Sequence, residues 1–256
     1  MKRVLFAILL VAVLALSGCG TAQEPAGQAE LTDGVTADIT EENLAEVSGV
    51  LRDAGLSNVD VFEDWVRNYL KSSSDDEGNA FNDADCRMTV MLLAGDGISY
   101  ESVNEEYTGD YLMFDLDIIE NQEEFQILKD KLKLYCTIFG ETAVPDGDLA
   151  KALPANWEEH GFKFDNPKAS IVSLVFSTYE TGEAFVGHTG ILADCGDGYL
   201  FIEKIAFGEP FKVTKVEKPE DLMDIFSARP EYNLEEGEAG AIVYINDAEL
   251  GQIEGK

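Results

Sequence analysis

The chain has 256 residues, and its 50 acidic side chains against 18 basic ones give a formal net charge of −32. A surface of this charge repels phosphate backbones and anionic lipid headgroups, so we expect no nucleic-acid partner and no unaided adhesion to a membrane. The length is sufficient for one domain with a substantial core.

The first residues have the pattern of a secretion leader. Lys2 and Arg3 are basic, Val4–Leu16 is wholly apolar, and a small-residue step to Cys19 follows at once. The apolar run is too short for a convincing membrane-spanning helix. The stretch from Leu16 to Cys19 resembles the lipobox of bacterial lipoproteins, in which cleavage leaves the cysteine as the lipidated first residue. We therefore predict a lipoprotein signal peptide over residues 1–18 and a lipid anchor on Cys19, with a plain secretory signal as the alternative.

Residues 19–36 are predicted to be a flexible tether, because they are rich in Ala, Gly, Gln, Glu and Pro and contain few large apolar side chains. Residues 37–256 are predicted to form a single α+β domain. Without Lys2 and Arg3, 16 basic residues face 50 acidic ones in the mature chain, a net charge of −34. The acyl chain on Cys19 would therefore have to hold the protein at the extracytoplasmic face of the cell membrane.

Apolar residues at helical spacing dominate the first half of the domain. They predict helices over residues 41–53, 61–70 and 122–138. Another helix is expected to begin at Cys86 and to end at Gly95–Gly97. Residues 148–160 are expected to form two short helical turns that are separated by Pro154.

The pattern changes to that of an antiparallel meander near residue 170. Strands are predicted over residues 170–178, 184–193, 199–207, 211–216 and 241–246, with a short helix over 219–226. Helices first and strands second predict an α+β fold of two layers, in which the N-terminal helices pack on an antiparallel sheet.

Three cysteines remain in the domain when Cys19 is set aside, and an odd number leaves at least one thiol free. Cys136 lies in an apolar helical stretch, where buried free cysteine is common, so its pairing with Cys195 stays open. Two histidines and scattered cysteines have no zinc-binding spacing. We therefore predict neither a metal nor a cofactor.

Three side chains have the residue types of a cysteine hydrolase. Cys86 opens a helix, where the N-terminal amides favour a thiolate. His188 and Glu203 lie on two strands of one predicted hairpin. An even number of residues in the hairpin connection puts Glu203 diagonally across from His188 on one face, and an odd number puts it on the other face. Cys86 is expected to be the nucleophile, His188 the base, and Glu203 the orienter that fixes the His188 ring. Glu209 is the fallback orienter.

A structural reading of these residues is the alternative, with an inert buried thiol and a structural histidine. Asp83 and Asp85 disfavour a thiolate by like-charge repulsion unless they point away or cap the helix, and Arg87 offsets part of this. The glycines at 187 and 190 either allow another backbone to approach His188 or mark a bulge.

Several segments resemble a family of bacterial lipoproteins with the DUF4300 domain. They are Asp85–Arg87, Phe185–Gly190, Leu200–Lys204 and Ala206–Phe211. The resemblance extends from about Thr40 to Asn246 and implies a fold and a cell-surface location.

More distantly, a cysteine, then His-x-Gly-Ile on a strand, then a polar residue on the next strand is similar to the NlpC/P60 and other papain-like cysteine hydrolases. Those families cleave peptide or amide bonds, often in cell-wall peptides. The similarity implies a papain-like arrangement with Cys86 as nucleophile, His188 as base and Glu203 as orienter. The chain departs from their pattern in two places. Arg87-Met88 follows the cysteine, where a small residue and glycine are usual, and the third residue of the pattern is the acidic Glu203 rather than His, Asn or Gln.

The predicted function is that of a lipid-anchored cysteine hydrolase acting on a peptide or amide bond, with cell-wall peptide as a candidate substrate. The alternative is a non-catalytic surface lipoprotein that binds a peptide, glycan or protein partner on a hydrolase-like scaffold.

Overall fold

A computed structural model describes residues 31–71, 80–178, 182–229, 232 and 240–253 of the chain. The predicted signal peptide, Cys19 and most of the predicted tether lie outside these ranges. Within the described ranges, no helix is both long and apolar enough to cross a membrane.

The described part of the chain is an α+β structure built on one antiparallel sheet. The strand order is β1-β5-β4-β3-β2-β6-β7, and each neighbouring pair is antiparallel. The strands are β1 (Thr36–Asp38), β2 (Ala169–Ser177), β3 (Ala184–Asp194), β4 (Tyr199–Lys204), β5 (Phe211–Val216), β6 (Ile242–Ile245) and β7 (Ala248–Gln252).

Most of the helices precede the long strands in the sequence. They are α1 (Leu44–Asp53), α2 (Val59–Lys71), α3 (Cys86–Ala94), α4 (Met113–Asn121), α5 (Leu132–Phe139) and α6 (Ala152–His160), and α7 (Asp221–Ala228) follows β5. Short 3-10 segments include Ala80–Asp83 before α3 and Gly95–Gly97 after it. The predicted beginning and end of the Cys86 helix are therefore confirmed.

The sheet is buried on both faces. Ile171 and Ile191 belong to the larger core, which contains the apolar sides of the N-terminal helices, whereas Val172 and Leu192 belong to a smaller core with Phe226 of α7. Successive side chains of a strand point to opposite faces, so α7 lies on the face opposite the other helices. The expected layer of helices on an antiparallel sheet is confirmed, and α7 adds cover on the second face.

The helix predicted over 122–138 is wrong in its first half. Residues Glu123–Lys131 form a 3-10 segment, and only Leu132–Phe139 is α-helical. Helix α4 just before it was missed. Its sequence gives a poor helical pattern, because Met113 and Phe114 are exposed while Asp115 is buried.

The break predicted at Pro154 is also wrong, since α6 runs without interruption from Ala152 to His160. Pro154 is the third residue of this helix. A proline in the first turn is tolerated there because the amide hydrogen that it lacks would have no partner within the helix.

Two strands at the edges of the sheet were not predicted. Strand β7 pairs with β6 through a two-residue turn at Asn246-Asp247. Strand β1 pairs with β5, and Thr36 Oγ1 lies 2.8 Å from Thr214 Oγ1. The sheet therefore includes the last residue of the predicted tether.

Gly190 allows a close approach between β3 and β4. A Cβ atom at this position would lie 2.5 Å from the Phe201 ring and 2.7 Å from the carbonyl oxygen of Ile202. We expect Gly190→Ala to lower the free energy of unfolding by about 1–3 kcal/mol in urea denaturation, since neither neighbour has room to move. The control is Gly49→Ala in α1, where a Cβ meets nothing within 4 Å. It should raise the free energy of unfolding by about 0.5–1 kcal/mol, and a loss equal to that of Gly190→Ala would contradict the argument.

Candidate active site

Cys86 is the first residue of α3, where its sulfur lies at the positive end of the helix dipole. Asp85 is the N-cap, and its Oδ1 accepts a hydrogen bond of 2.7 Å from the Met88 amide. The Asp83 carboxylate accepts instead from Gln122 Nε2 at 2.7 Å. Both acidic neighbours of Cys86 therefore have hydrogen-bond partners of their own, and Asp85 caps the helix.

A bulge in β3 lies directly before His188. Val186 pairs with Val175 and His188 pairs with Leu174, so Gly187 has no partner on β2. The extra residue breaks the alternation of β3, so that Val186 faces the larger core while His188 shares the opposite face with Leu174. Of the two readings of Gly187, the bulge is confirmed.

The hairpin connection has the even length that the site requires. Gly190 pairs with Glu203, and the Cys195 amide donates to the Gly198 carbonyl at 3.0 Å across the turn. Glu203 consequently lies diagonally across from His188 on one face of the sheet. Its Oε2 is 2.6 Å from His188 Nε2.

His188 also lies close enough to Cys86 for the two side chains to interact. Burial lowers the pKa of His188, but its interactions with Cys86 and Glu203 raise the pKa, and the result is about 9. Because Nε2 is bonded to Glu203, Nδ1 is the ring nitrogen left for the thiol. The three predicted residues therefore lie in one cluster that joins a helix to two strands, with His188 hydrogen-bonded to Glu203 and interacting with Cys86.

Arg229 is a fourth member of the cluster that the sequence reasoning missed. It follows α7 directly, and its guanidinium donates to both oxygens of Glu203, with Nη1 at 2.8 Å from Oε2. Burial raises the pKa of Glu203, but Arg229 and His188 outweigh it and hold the pKa at about 2. Glu203 therefore stays ionised at neutral pH, and the fallback orienter Glu209 is not needed.

Arg87, next to the cysteine, is held in a buried network of its own. It donates to Asp115 through Nε at 2.6 Å and through Nη2 at 3.0 Å, and Tyr135 donates its hydroxyl to the same carboxylate at 2.6 Å. Arg87 Nη2 also lies 2.7 Å from Asp85 Oδ2 in an ion pair that lacks hydrogen-bond geometry. Burial raises the pKa of Asp85 to about 7, although Arg87 opposes the shift.

Lys204 is a buried cation beside the site. Its Nζ donates to the carbonyl oxygens of Ala206, at 3.0 Å, and of Glu209. It lies 5.0 Å from the centre of the Tyr69 ring and 5.4 Å from that of Phe211. Burial lowers the pKa of Lys204 to about 8, with Asp85 opposing the shift. Lys204 therefore ties the loop after β4 to the end of the strand.

The reactive atoms are almost inaccessible in this conformation. Cys86 is 3 % exposed, His188 is 2 % exposed, and the Tyr232 ring centre lies 6.0 Å from that of His188. A surface cavity of about 390 Å³ lies elsewhere, between Gly55 and Phe164, and neither Cys86 nor His188 lines it. A substrate can reach the sulfur only if covering side chains move.

The other two cysteines of the domain are free and differ from Cys86 in their surroundings. Burial raises the pKa of Cys136 to about 11, and burial also raises that of Cys195, whose sulfur lies 3.4 Å from Asp197 Oδ1. The sequence left a disulfide between Cys136 and Cys195 undecided, and the structure does not form it. Both thiols are natural references for Cys86.

The cluster predicts a specific pH dependence of stability. His188 has a pKa of about 9 in the folded chain against an ordinary value of 6.5, so its contribution is complete below pH 6.5 and is lost as the pH rises through 9. We expect the unfolding free energies of the wild type and His188→Gln to differ by about 3 kcal/mol more at pH 6 than at pH 10. Urea denaturation at both pH values measures this. A difference that grows with pH would contradict the assigned contacts.

Comparison with known proteins gives one match. The family model described as "Domain of unknown function (DUF4300)" matches residues 62–250, which include Cys86, His188, Glu203 and Arg229. No curated protein and no solved structure matches the chain.

Proposed function

This chain belongs to the DUF4300 family, and we propose that it is a cysteine hydrolase of the papain-like type that cleaves a peptide or amide bond. The observation that carries the proposal is the grouping of Cys86, His188 and Glu203 in one buried cluster, in which His188 is hydrogen-bonded to Glu203 and interacts with Cys86. A thiol at a helix N-terminus, an imidazole beside it and a carboxylate behind the imidazole are the three parts that an activated cysteine nucleophile uses.

The proposed reaction is acyl transfer. The Cys86 thiolate attacks the carbonyl carbon of the substrate, and the His188 imidazolium donates its proton to the leaving amine. Water then attacks the carbonyl carbon of the thioester, and neutral His188 takes a proton from that water. The carbon–sulfur bond breaks, the carboxylic acid product is released, and the Cys86 thiolate and the His188 imidazolium are restored.

Charge on the tetrahedral intermediate needs hydrogen-bond donors. The amide of Cys86 is one, because the first residue of a helix has no acceptor within that helix. For the second donor we propose Asn82, which lies in the 3-10 segment Ala80–Asp83 just before α3.

The location and substrate class belong to the same proposal. Cleavage before Cys19 and acylation of its sulfur would anchor the protein at the extracytoplasmic face of the cell membrane. The acidic surface would leave the domain free of nucleic acid and of direct contact with anionic lipid. Cell-wall peptides are the candidate substrates that this location supplies.

The test is cleavage of defined peptides by the full-length chain. Peptide fragments released from peptidoglycan and a set of internally quenched peptides are incubated with the wild type, Cys86→Ser and Cys136→Ser, and products are identified by mass spectrometry. We expect cleavage by the wild type and by Cys136→Ser, and a loss of at least about a thousandfold in Cys86→Ser. Undiminished cleavage by Cys86→Ser would contradict the proposal.

A non-catalytic surface lipoprotein that binds a peptide, glycan or protein partner is the second candidate. The observation that favours it is the burial of both Cys86 and His188. The same variant separates the two functions, because a binding protein keeps its ligand and its cellular phenotype in Cys86→Ser, whereas a hydrolase loses turnover.

A further inference from the structure

We infer that Arg229 is a positioning residue of this site, which clamps Glu203 and shares its charge so that Glu203 orients His188. The inference rests on the proposed function, in which His188 must keep one ring nitrogen directed at Cys86. Neither the family match nor the similarity to papain-like hydrolases assigns a role to Arg229.

The first support is geometric. Glu203 Oε2 accepts from His188 Nε2 at 2.6 Å and from Arg229 Nη1 at 2.8 Å, while Oε1 accepts from Arg229 Nη2. A planar guanidinium that bonds both oxygens prevents the carboxylate from rotating. The position of Oε2, and with it the direction of the imidazole ring, is therefore set by Arg229.

The second support is electrostatic. Glu203 is fully buried and the Arg229 side chain is 10 % exposed, so water screens their pairing little. One carboxylate thus faces two cations, Arg229 and the imidazolium of His188. Without Arg229, the whole negative charge of Glu203 would act on His188 alone and would hold its proton more tightly. A base that must release this proton to a leaving amine would then be less effective.

Among the described residues, charged and titratable groups approach His188 from three parts of the chain. Cys86 comes from α3, Glu203 comes from β4, and Arg229 and Tyr232 come from the chain after α7. Tyr232 also interacts with Arg229. Of these four, Arg229 is the residue whose removal changes the charge near His188 without touching the imidazole directly.

The experiment is an NMR titration of His188 in the full-length chain, assigned against His160→Gln because the chain has two histidines. In Arg229→Met we expect the titration midpoint of His188 to rise by about one pH unit, because a neighbouring positive charge is lost. In Arg229→Lys we expect a midpoint within about 0.5 unit of the wild type, since the charge is kept. The control is Arg67→Met, an exposed arginine of α2 that pairs with Glu63 and should leave the midpoint unchanged.

Alkylation of Cys86 by iodoacetamide adds a readout for orientation. Arg229→Lys should slow it about tenfold at pH 7, because one ammonium cannot hold both carboxylate oxygens. A midpoint in Arg229→Met that stays or falls would overturn the inference, as would an Arg229→Lys variant that alkylates at the wild-type rate.

Two outcomes keep the test informative. If Arg229→Met does not fold, Arg229→Gln removes the same charge but keeps a polar side chain, and its His188 midpoint should likewise rise by about one unit; an unchanged midpoint would overturn the inference. If wild-type Cys86 is no more reactive than Cys136, the proposed hydrolase fails. The midpoint of His188 still reports on Arg229 in that case, so the two failures are distinguishable.

Discussion

Replacement of His188 by Gln is expected to slow the alkylation of Cys86 at pH 7 by at least about a hundredfold and to abolish turnover. The imidazole interacts with Cys86, and glutamine keeps a hydrogen-bonding side chain of similar size without the charge. Cys86 would then have the helix N-terminus as its main support for a thiolate, and that effect is the smaller of the two.

The control for this variant is His160→Gln. His160 ends α6, and its Nδ1 lies 3.1 Å from Ser102 Oγ, so it makes a local contact of its own. Its replacement should leave the alkylation rate of Cys86 unchanged. Equal rates in the wild type and His188→Gln, measured by mass spectrometry of the Cys86 peptide, would show that the imidazole does not activate the thiol.

Replacement of Asp115 by Ala is expected to lower the free energy of unfolding by about 3–5 kcal/mol. Asp115 is buried and accepts hydrogen bonds from both Arg87 and Tyr135. Its loss leaves a buried guanidinium with an incomplete set of partners and a buried hydroxyl without its acceptor, and breaking such a pair from one side is more costly than never forming it.

Asp117→Ala on the same helix is the matched control. Asp117 is exposed and accepts a hydrogen bond from Asn121 on the same helix, so its replacement should change the free energy of unfolding by less than about 0.5 kcal/mol. Urea denaturation followed by circular dichroism measures both variants. A loss below about 1 kcal/mol in Asp115→Ala would mean that the buried network beside Cys86 contributes little to the fold.

The cations around the site are unusual for so acidic a chain. Arg87, Lys204 and Arg229 are all buried close to Cys86 and His188, although basic residues are scarce in the sequence. Buried ion pairs are a poor source of net stability, since apolar replacements of similar volume are often as stable. Their concentration at one place therefore supports a role in setting charges at the site, as clusters with strongly shifted pKa values often do.

The parts of the site that the sequence predicts depend on local signals. The start of α3 at Cys86 follows from a polar segment that gives way to an apolar helical run. The facing of His188 and Glu203 follows from the two-residue periodicity of strands and the even length of one turn. Each of these signals lies within about twenty residues of the feature that it predicts.

The parts that were missed depend on partners distant in the sequence. Arg229 lies 26 residues from Glu203, and Asp115 lies 28 residues from Arg87, so neither pairing leaves a periodic pattern. One signal was available, because a glutamate that follows an apolar run in a strand predicted to be buried needs a buried cation as its partner. The same reasoning does not name which arginine it is, since that depends on how α7 packs on the sheet.

The most direct measurement of the central claim is the rate at which iodoacetamide modifies each cysteine of the folded, full-length chain at pH 7, resolved by mass spectrometry of the separate peptides. Cys136 and Cys195 serve as internal references in the same sample. We predict that Cys86 reacts at least about ten times faster than either of them, because it has a helix N-terminus and an imidazolium beside it. A rate for Cys86 that does not exceed those of Cys136 and Cys195 would contradict the proposed nucleophile.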